Sequence, residues 1–451
     1  MLRITILSVF LLLFIPSFTI GQGIFEEAVE GDDFADITDK TFSYGGYSRA
    51  SAWFGGENYD YASVFGEFAM QGRISGNNMF LWADVRFADG MFFGERESLV
   101  NLREAYAGIR WENVDVYLGN QIVRWGRTDG FNPVDNISPR NHFFLSTDPD
   151  DQLKGNFMLR TRIRPLPSTE LEVVAIPYYE PSVYRYDLFE MDEGVTFNEG
   201  VLPEASFSNG SVGMRLTTEL PSVGLSLTYF TGYDPFYGFD LESYTLFPER
   251  EINYRPRYYR KNSPGIDMSF TAGQAIFRLE AAYNITSGYS NQIYIPNPEI
   301  YYVGAIESSF WGINTILQYI GKYVLDYQFV DGPAPPDMQN PVDIYRWAVE
   351  TVSHESEMYN RRIFQQQEEM NHAMFLSFSR SFLYEELRAE VTTYYNITSE
   401  EYLIRPEIKW NARDGMMISA GAQFMNGPDV SIYNMAGKVL GGFFTGISVS
   451  F

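Results

Sequence analysis

The chain has 451 residues, no cysteine and a formal net charge of −25. Without cysteine there are no disulfides, zinc–thiolate sites, cysteine nucleophiles or lipoprotein anchor, and the acidic balance argues against nucleic acid as a partner. Aromatic residues make up 17% of the chain, yet the mean hydropathy is only −0.21. This combination is typical of strands that face lipid on one side and water on the other.

The first 40 residues predict an exported chain. Met1-Leu2-Arg3 is a basic start, and residues 4–15 are mostly apolar. This pattern predicts a signal peptide over residues 1–21, because the apolar run is too short to span a bilayer as a helix. Residues 22–40 are rich in Asp and Glu and predict an acidic periplasmic segment, which is either a solvated tail or a short plug or docking segment. The rest, residues 41–451, predicts a single barrel domain.

Segments that alternate apolar and polar residues recur from residue 41 to the C-terminus, and most have the ~9–11 residues that a tilted strand needs to cross a bilayer. They predict an all-β fold, a closed transmembrane antiparallel β-barrel of about 18 strands. The predicted strands are 42–54, 60–75, 77–89, 100–111, 114–124, 155–165, 169–180, 210–220, 222–233, 263–273, 275–287, 300–311, 313–327, 371–382, 384–397, 400–411, 415–427 and 439–451.

Short and long connections between these segments alternate along the chain. Every second connection is a tight turn, such as Gly76-Asn77 or Gly273-Gln274, whereas the others include long segments such as 125–154 and 328–370. Short periplasmic turns and long outer loops are the rule for outer-membrane barrels. The pattern therefore predicts the outer membrane of a Gram-negative-type bacterium, with outer-membrane lipid and lipopolysaccharide as surroundings.

Residues 119–142 differ from the rest of the chain. A strand leads into a segment dense in Gly, Pro, Asn and Asp, which are turn formers. Arg124, Arg127 and Arg140 can pair there with Asp129 and Asp135. We expect an ordered outer loop that folds back into the pore and constricts it.

This segment resembles the signature G-x-Q-x-x-x-W-G followed by N-P-V-D of alginate-export-type porins and of a related, uncharacterised outer-membrane β-barrel family. The resemblance implies an outer-membrane channel whose lumen carries arginines and passes an anionic polysaccharide. Carried over by position, it places six residues in the inward constriction. These are Arg124, Trp125, Arg127, Asn132, Asp135 and Arg140. The chain departs from this family in its strong acidity and in the mixed charge of its predicted lumen.

Period-2 sorting separates a lipid face from a lumen face on each strand. Arg160, Arg162 and Arg164 alternate with apolar residues such as Leu159 and Ile163. An arginine facing lipid costs ~2–4 kcal/mol near the midplane, so these three must point inward. The same reasoning predicts nine lumen-facing arginines as pore-lining or solute-binding residues. They are Arg86, Arg110, Arg160, Arg162, Arg164, Arg215, Arg278, Arg388 and Arg405.

Two explanations of these arginines remain open. Arginine–carboxylate pairs across neighbouring strands brace a wide barrel. Alternatively, columns of arginine line a conduit for anionic or sugar-like solutes, because guanidinium binds carboxylates in a bidentate manner. The run of Arg160, Arg162 and Arg164 is the best candidate for such a column, although Asp115, Glu170 and Glu172 of adjacent strands can neutralise it.

The longest predicted outer loop contains a helical segment. Residues 343–370 lack Gly and Pro, Asp343 is a candidate N-cap, and Ile344, Trp347, Ala348 and Thr351 share one face. We predict a loop helix over residues 343–370. It is either a lid that stabilises the barrel mouth or a gate folded into it.

The last predicted strand ends on an aromatic residue, Phe451, at the C-terminus. Barrels of this kind are recognised by the barrel-assembly machinery through such a residue. We expect the strand to close the barrel by pairing with the first strand, so that no edge is left free.

The chain has three histidines, and none predicts a Ser–His catalytic pair. We expect no enzyme activity, no cofactor and no metal site. The sequence favours a channel for passive passage of small hydrophilic or anionic solutes, with oligosaccharides among the candidates. The alternative is a non-conducting outer-membrane barrel that anchors or organises surface polysaccharide.

Overall fold

The computed structural model describes residues 41–56, 59–189 and 193–451; the predicted signal peptide and acidic segment lie outside these residues. The described strands are β1 (Thr41–Gly55), β2 (Ser63–Gly76), β3 (Met79–Phe92), β4 (Glu95–Arg110), β5 (Val114–Gln121), β6 (Asn156–Leu166), β7 (Thr169–Ile176), β8 (Val195–Phe197), β9 (Ser211–Glu219), β10 (Val223–Tyr233), β11 (Gly238–Thr245), β12 (Glu251–Arg257), β13 (Arg260–Ala272), β14 (Ala275–Thr286), β15 (Glu299–Phe310), β16 (Ile313–Val324), β17 (Met370–Phe382), β18 (Leu387–Asn396), β19 (Glu401–Arg413), β20 (Met416–Asn426) and β21 (Gly442–Ser450). The α-helices are α1 (Pro341–Phe364) and α2 (Ile432–Leu440).

Eighteen of these strands form one closed antiparallel sheet. The barrel closes where β1 pairs with β21, from Tyr47 opposite Ser450 to Gly55 opposite Gly442. Beyond the last pair, the Phe451 N–H donates to the Gly46 carbonyl at 2.9 Å. Each of the predicted strands overlaps one barrel strand, and the predicted pairing of the first strand with the last is confirmed.

The outward side chains of the barrel are apolar, as lipid requires. On β2, Val64, Phe68 and Met70 point outward and are about half exposed, whereas Glu67 and Ala69 point inward and are buried. Because the sheet has no edge, backbone N–H and C=O groups of the barrel are paired between strands, which is the condition for crossing a bilayer. No α-helix within the described part of the chain is long and apolar enough to span a membrane.

Exposed aromatic rings mark both ends of the barrel. At the end with the short turns they include Phe42, Tyr44, Trp111, Phe310, Trp311, Tyr384 and Trp410. At the end with the long loops they include Phe54, Tyr178, Tyr283, Tyr395 and Phe443. Such girdles flank the apolar band of membrane barrels, and they contribute to the high aromatic content.

The parity of loop lengths is confirmed. At one end, which we name the short-turn end, strands are joined by turns such as that between β13 and β14, where Gly273 takes a φ of +64°. The opposite end, the long-loop end, carries the long segments, including 122–155 and 325–369. Both β1 and β21 have their chain-terminal ends at the short-turn end.

The predicted loop helix exists, but its bounds were wrong. Helix α1 runs from Pro341 to Phe364, and its N-cap is Asn340, whose side chain accepts from the Val342 N–H at 3.1 Å. It ends where Gln365 takes a left-handed conformation, and the residues from Met370 onward belong to β17. The buried face is formed by later residues than predicted, because α1 packs on the small sheet described below. They are Val352, Ser356, Tyr359, Asn360 and Phe364.

The predicted start of the last strand at residue 439 was also wrong. Val439 belongs to α2 and is buried, at 2% exposure, against Trp53 and Phe444. The strand begins at Gly442, where the backbone φ is +153° and a side chain would collide with the Phe54 carbonyl. The alternation over residues 439–441 therefore comes from a helix end that precedes the strand.

Two segments that the sequence presented only as long connections contain a second sheet. Strand β8 pairs in parallel with β12, and β12 pairs with β11 in antiparallel fashion. The aromatic core of this second sheet includes Phe239 and Tyr254, and Tyr359 of α1 packs into it. The Asn360 amide donates to the Phe239 carbonyl at 2.8 Å. We name β8, β11, β12 and α1 together the subdomain, and it lies at the long-loop end of the barrel.

Candidate functional site: a loop folded into the barrel

The connection between β5 and β6, residues 122–155, turns into the lumen; we name it the inward loop. Its first part packs on the barrel wall. Trp125, Val134 and Ile137 are each 1% exposed and join one cluster with wall residues such as Met158 and Phe230. The Trp125 indole N–H donates to Glu172 of β7 at 2.6 Å. Such burial gives this part of the loop a fixed structure.

Arg127 ties the inward loop to a second section of the wall. Its guanidinium donates to Asp267 of β13 at 2.5 Å and to Glu219 of β9 at 2.6 Å. The backbone N–H groups of Arg127 and Thr128 both donate to the Glu280 carboxylate of β14. The preceding Gly126 has a φ of +103°, and a Cβ there would lie 2.8 Å from that carboxylate. Glycine is required for this close approach.

The middle of the loop reaches a third section of the wall. The Gln318 amide of β16 donates to the Asp129 carbonyl at 2.7 Å. The ring of Phe131 stacks on Tyr394 of β18, with centroids 5.1 Å apart. Glu280 and Asp267, which bind Arg127 and Thr128, lie midway along their strands. The loop therefore lies near mid-height of the barrel.

A buried carboxylate, Asp151, anchors the end of the loop. Asp151 accepts from Arg86 at 2.6 Å, from Arg49 at 2.8 Å and from Arg103 at 3.3 Å. These arginines come from β3, β1 and β4. The Asp151 side chain is only 7% exposed. Burial alone would raise its pKa, but Arg86 and Arg49, together with a hydrogen bond from Ser146, hold the pKa well below the usual carboxyl range.

Two backbone carbonyls near the loop end contact β19. Arg405 donates to the Ser146 carbonyl at 3.1 Å, and Lys409 donates to the Thr147 carbonyl at 3.2 Å. With the contacts above, the inward loop touches the wall on all sides of the lumen. It divides the lumen into an outer vestibule below the long-loop end and an inner chamber above the short-turn end.

All six residues that the sequence assigned to the inward constriction lie in the inward loop, although several predicted partners were wrong. Arg140 pairs with Asp135 at 3.2 Å, as proposed. Arg124 pairs with Asp150, and Asp129 lies 3.6 Å from Arg278 of the wall. Asn132 fixes the turn by donating to the Trp125 carbonyl at 3.3 Å. Burial raises the pKa of Asp135, which Arg140 opposes.

The predicted pore-lining arginines point into the lumen, among carboxylates of neighbouring strands. The ion pairs are Arg86–Asp151 at 2.6 Å, Arg160–Glu172 at 2.6 Å, Arg162–Glu172 at 2.9 Å, Arg164–Asp115 at 2.9 Å, Arg215–Asp267 at 3.3 Å, Arg278–Glu307 at 2.5 Å, Arg388–Glu390 at 3.0 Å and Arg405–Glu407 at 3.9 Å. Arg110 lies 5.1 Å from the centroid of the Phe80 ring. The wall therefore carries charges that are neutralised locally, as the bracing explanation requires.

The structure adds anchoring residues that the sequence did not single out, namely Asp151, Glu219, Asp267 and Glu280. The described residues contain no group of three or more His, Asp or Glu side chains arranged to hold a metal ion. Asp148 instead caps the short 3-10 helix of residues Pro149–Gln152.

A cavity of about 290 Å³ lies in the outer vestibule. Its floor is the inward loop from Asn132 to His142, its wall is formed by the outer ends of β13 to β16, and the C-terminal end of α1 borders it through Phe364 and Gln365. The cavity therefore lies between the inward loop and the long-loop end of the barrel.

No known family profile matches the chain, and no curated protein matches it. Solved structures are similar in fold. Pseudomonas aeruginosa OccD3 (OpdP) has a TM-score of 0.53 and 9% identity, covering 92% of this chain and 93% of that one. The outer membrane protein OpdK of Pseudomonas aeruginosa has a TM-score of 0.51 and 8% identity, covering 91% and 98%. Acinetobacter baumannii OccAB2 has a TM-score of 0.50 and 10% identity, covering 91% and 97%. At such identities the similarity shows the barrel fold alone.

Proposed function

We propose that this protein is an outer-membrane channel for passive passage of small hydrophilic solutes. The observation that carries the proposal is the inward loop, which is folded at mid-height and held by ion pairs and aromatic contacts on all sides of the lumen. A loop in that position forms a constriction, whereas a barrel that only anchors surface material has no need of one. The apolar outer face, the aromatic girdles and the similarity in fold to an outer membrane protein support the location.

The locally neutralised lumen bears on the kind of solute. A wall of arginine–carboxylate pairs favours hydrated polar solutes in general over one sign of charge. The resemblance of residues 119–142 to alginate-export-type porins would imply an anionic polysaccharide. The ion pairs of Arg160, Arg162 and Arg164 argue against that narrower proposal, because their guanidinium groups are engaged by carboxylates of β5 and β7.

A non-conducting barrel that organises surface polysaccharide is the second candidate. The long-loop end favours this second candidate, because exposed apolar side chains lie in and beside the subdomain of β8, β11, β12 and α1. Phe207 is 99% exposed, Met338 is 76% exposed and Val342 is 72% exposed. Such side chains suit contact with a surface partner. The two proposals differ in whether ions cross the barrel.

Planar-bilayer conductance separates these proposals. We expect discrete current steps from the purified protein in KCl, and larger steps when residues 331–361 are replaced by a short Gly/Ser linker. The reason is that this change removes most of α1 from above the vestibule and leaves the barrel strands intact. A linker inserted between β18 and β19 at residues 397–400, far from α1 in sequence, is the control. If neither form conducts, the channel proposal is wrong.

The charge balance of the inner chamber gives a second test. Replacing Arg160, Arg162 and Arg164 together by alanine leaves their carboxylate partners without cations. We therefore expect the reversal potential in a KCl gradient to shift toward cation preference, because uncompensated negative charge attracts cations to the pore. Arg96→Ala, at a side chain that is 80% exposed and outside the lumen contacts, is the control. An unchanged reversal potential in the triple variant would show that these pairs do not face the conducting path.

A further inference from the structure

The cavity in the outer vestibule has charges that cancel. Three ion pairs line it, namely Arg140–Asp135 at 3.2 Å, Lys261–Asp234 at 2.7 Å and Lys322–Glu299 at 3.2 Å. The six side chains are all between 5% and 27% exposed. An ionic solute would have to displace a partner from one of these pairs, so the cavity offers no excess charge of either sign.

Neutral hydrogen-bonding groups surround these pairs. Asn284 donates to Glu299 at 3.1 Å and accepts from the Ser263 hydroxyl at 2.9 Å. The Asn297 amide donates to the backbone carbonyls of residues 325 and 326, which uses both of its donor hydrogens and leaves its oxygen as an acceptor. Each side-chain amide has two donor hydrogens and two acceptor lone pairs, and a carboxylate has about four acceptor sites. The existing bonds fix the orientation of these groups, and the Asn284 amide keeps one donor hydrogen and one acceptor lone pair for a solute in the cavity that it lines.

Aromatic rings supply the apolar part of the lining. Phe236, Tyr259 and Tyr301 border the cavity. The Phe236 ring is held edge-on to His142 at a centroid distance of 5.7 Å and stacks on Tyr237 at 5.6 Å. The Tyr301 ring lies under the Lys322 ammonium at 5.4 Å. Rings fixed in this way are rigid contact surfaces.

This set of groups matches one class of solute. A sugar ring has C–H faces that pack on aromatic rings and a rim of hydroxyl groups that both donate and accept hydrogen bonds. Ligand pockets measure ~300–1,000 Å³, so a cavity of about 290 Å³ suits a small solute. We propose that the cavity is a binding subsite for an uncharged sugar of one or two rings, which deepens and rests on the proposed channel function.

The subsite has a defined place in permeation. It lies on the outer side of the inward loop, with Asn132, Asp135 and Arg140 of that loop forming part of its lining. A sugar bound there sits against the constriction and reduces the ionic current while it is bound. Binding that is weak enough to allow release is what conduction requires.

The experiment uses the full-length protein in planar bilayers with maltose as the probe. We expect maltose added on the long-loop side to lower the KCl current reversibly and to saturation. Gluconate, a sugar acid with one negative charge, should give no saturable reduction. Phe236→Leu removes an aromatic face and Asn284→Ala removes an amide, and each should weaken the maltose effect by about tenfold. Asn314→Ala, the same change on β16 at the short-turn end, is the control.

Two results of the current measurements would overturn the inference. One is a maltose effect that neither cavity variant changes. The other is a gluconate effect, sensitive to the same variants, that equals or exceeds that of maltose. Calorimetric titration of the detergent-solubilised protein with maltose does not depend on conductance, and absence of saturable heat in the wild type would also reject the subsite. Failure of the channel proposal would appear instead as absence of current with or without sugar.

Discussion

Replacing Asp151 by asparagine is expected to release the end of the inward loop and to give larger, noisier channel currents. The carboxylate is the common partner of Arg49, Arg86 and Arg103 and is nearly inaccessible to solvent. Removing one member of a buried ion pair costs ~3–5 kcal/mol, because the remaining charge is left without compensation. The amide of asparagine has the same shape but cannot balance three guanidinium groups.

The size of this effect follows from the neighbouring carboxylates. Arg49 keeps Glu67 at 2.9 Å, and Arg86 keeps Asp84 at 3.4 Å. We therefore expect a cost near the lower limit, about 3 kcal/mol, which raises the population of the released loop by about a hundredfold. Single-channel recording measures this as the fraction of time spent at higher conductance. The first half of the loop should stay in place, because Trp125 and Arg127 hold it independently.

Asp150→Asn is the matched control. It makes the same chemical change at the adjacent position of the same 3-10 helix. The Asp150 side chain is 56% exposed, and its ion pair among the described residues is with Arg124, which is itself 34% exposed. Exposed pairs contribute ~0–1 kcal/mol. If the currents of the two variants are indistinguishable, Asp151 does not hold the loop in place.

The pH dependence of the wild type gives a second measurement of the same ion pairs. Because the folded pKa of Asp151 lies below its unfolded value, its stabilisation is present above the usual carboxyl range, near pH ~3.9. It is lost only as the pH falls through the lower folded value. We therefore expect the wild-type current to stay quiet down to about pH 4 and the additional noise of Asp151→Asn to be independent of pH above that.

The sequence predicted the barrel well because the information is local. A strand in a membrane wall needs one lipid-facing and one water-facing side, and this requirement is met residue by residue along each segment. Leu159 is 43% exposed on the outer face, whereas its neighbours Arg160 and Arg162 pair with Glu172 inside. The same alternation could not predict β8, β11 and β12. A sheet outside the membrane has no lipid-facing side, so its strands do not need the apolar–polar alternation of the barrel strands.

The contacts that hold the inward loop were not predictable in the same way. Arg127 and Asp267 are 140 positions apart, and Asp151 and Arg49 are 102 positions apart. Alternation shows which side of the wall a residue faces but not which residue across the lumen it meets. The sequence therefore indicated an ordered loop from its turn formers and its arginines, and it paired Arg127 with the wrong carboxylates.

The opposite end of the inward loop gives the second large expected effect. Trp125→Ala should destabilise the barrel by about 3–5 kcal/mol, because it leaves a large cavity among residues that are almost fully buried. It also removes the indole N–H that binds Glu172. Trp125→Phe should cost less, about 1.5–3 kcal/mol, because most of the packing stays and the loss is the hydrogen bond to the carboxylate and one edge of the ring. The midpoint of urea unfolding in detergent measures both.

A double variant with Gly213 of β9 tests the packing of Trp125 on the wall independently of the single Trp125 variants. A Cβ at Gly213 would lie 2.7 Å from the far edge of the Trp125 ring and 2.8 Å from the end of the Ile137 side chain. Gly213→Ala alone should therefore be destabilising, since the indole has no room to move. Phenylalanine lacks that far ring edge, and Ile137 has a flexible terminus. The double variant Trp125→Phe with Gly213→Ala should consequently be more stable than the sum of the two single costs, by about 0.5–3 kcal/mol. If the two changes in the free energy of unfolding are strictly additive, Trp125 and Gly213 are not in tight contact. The packing of Trp125 on the barrel wall would then not support the fixed constriction that the channel proposal needs.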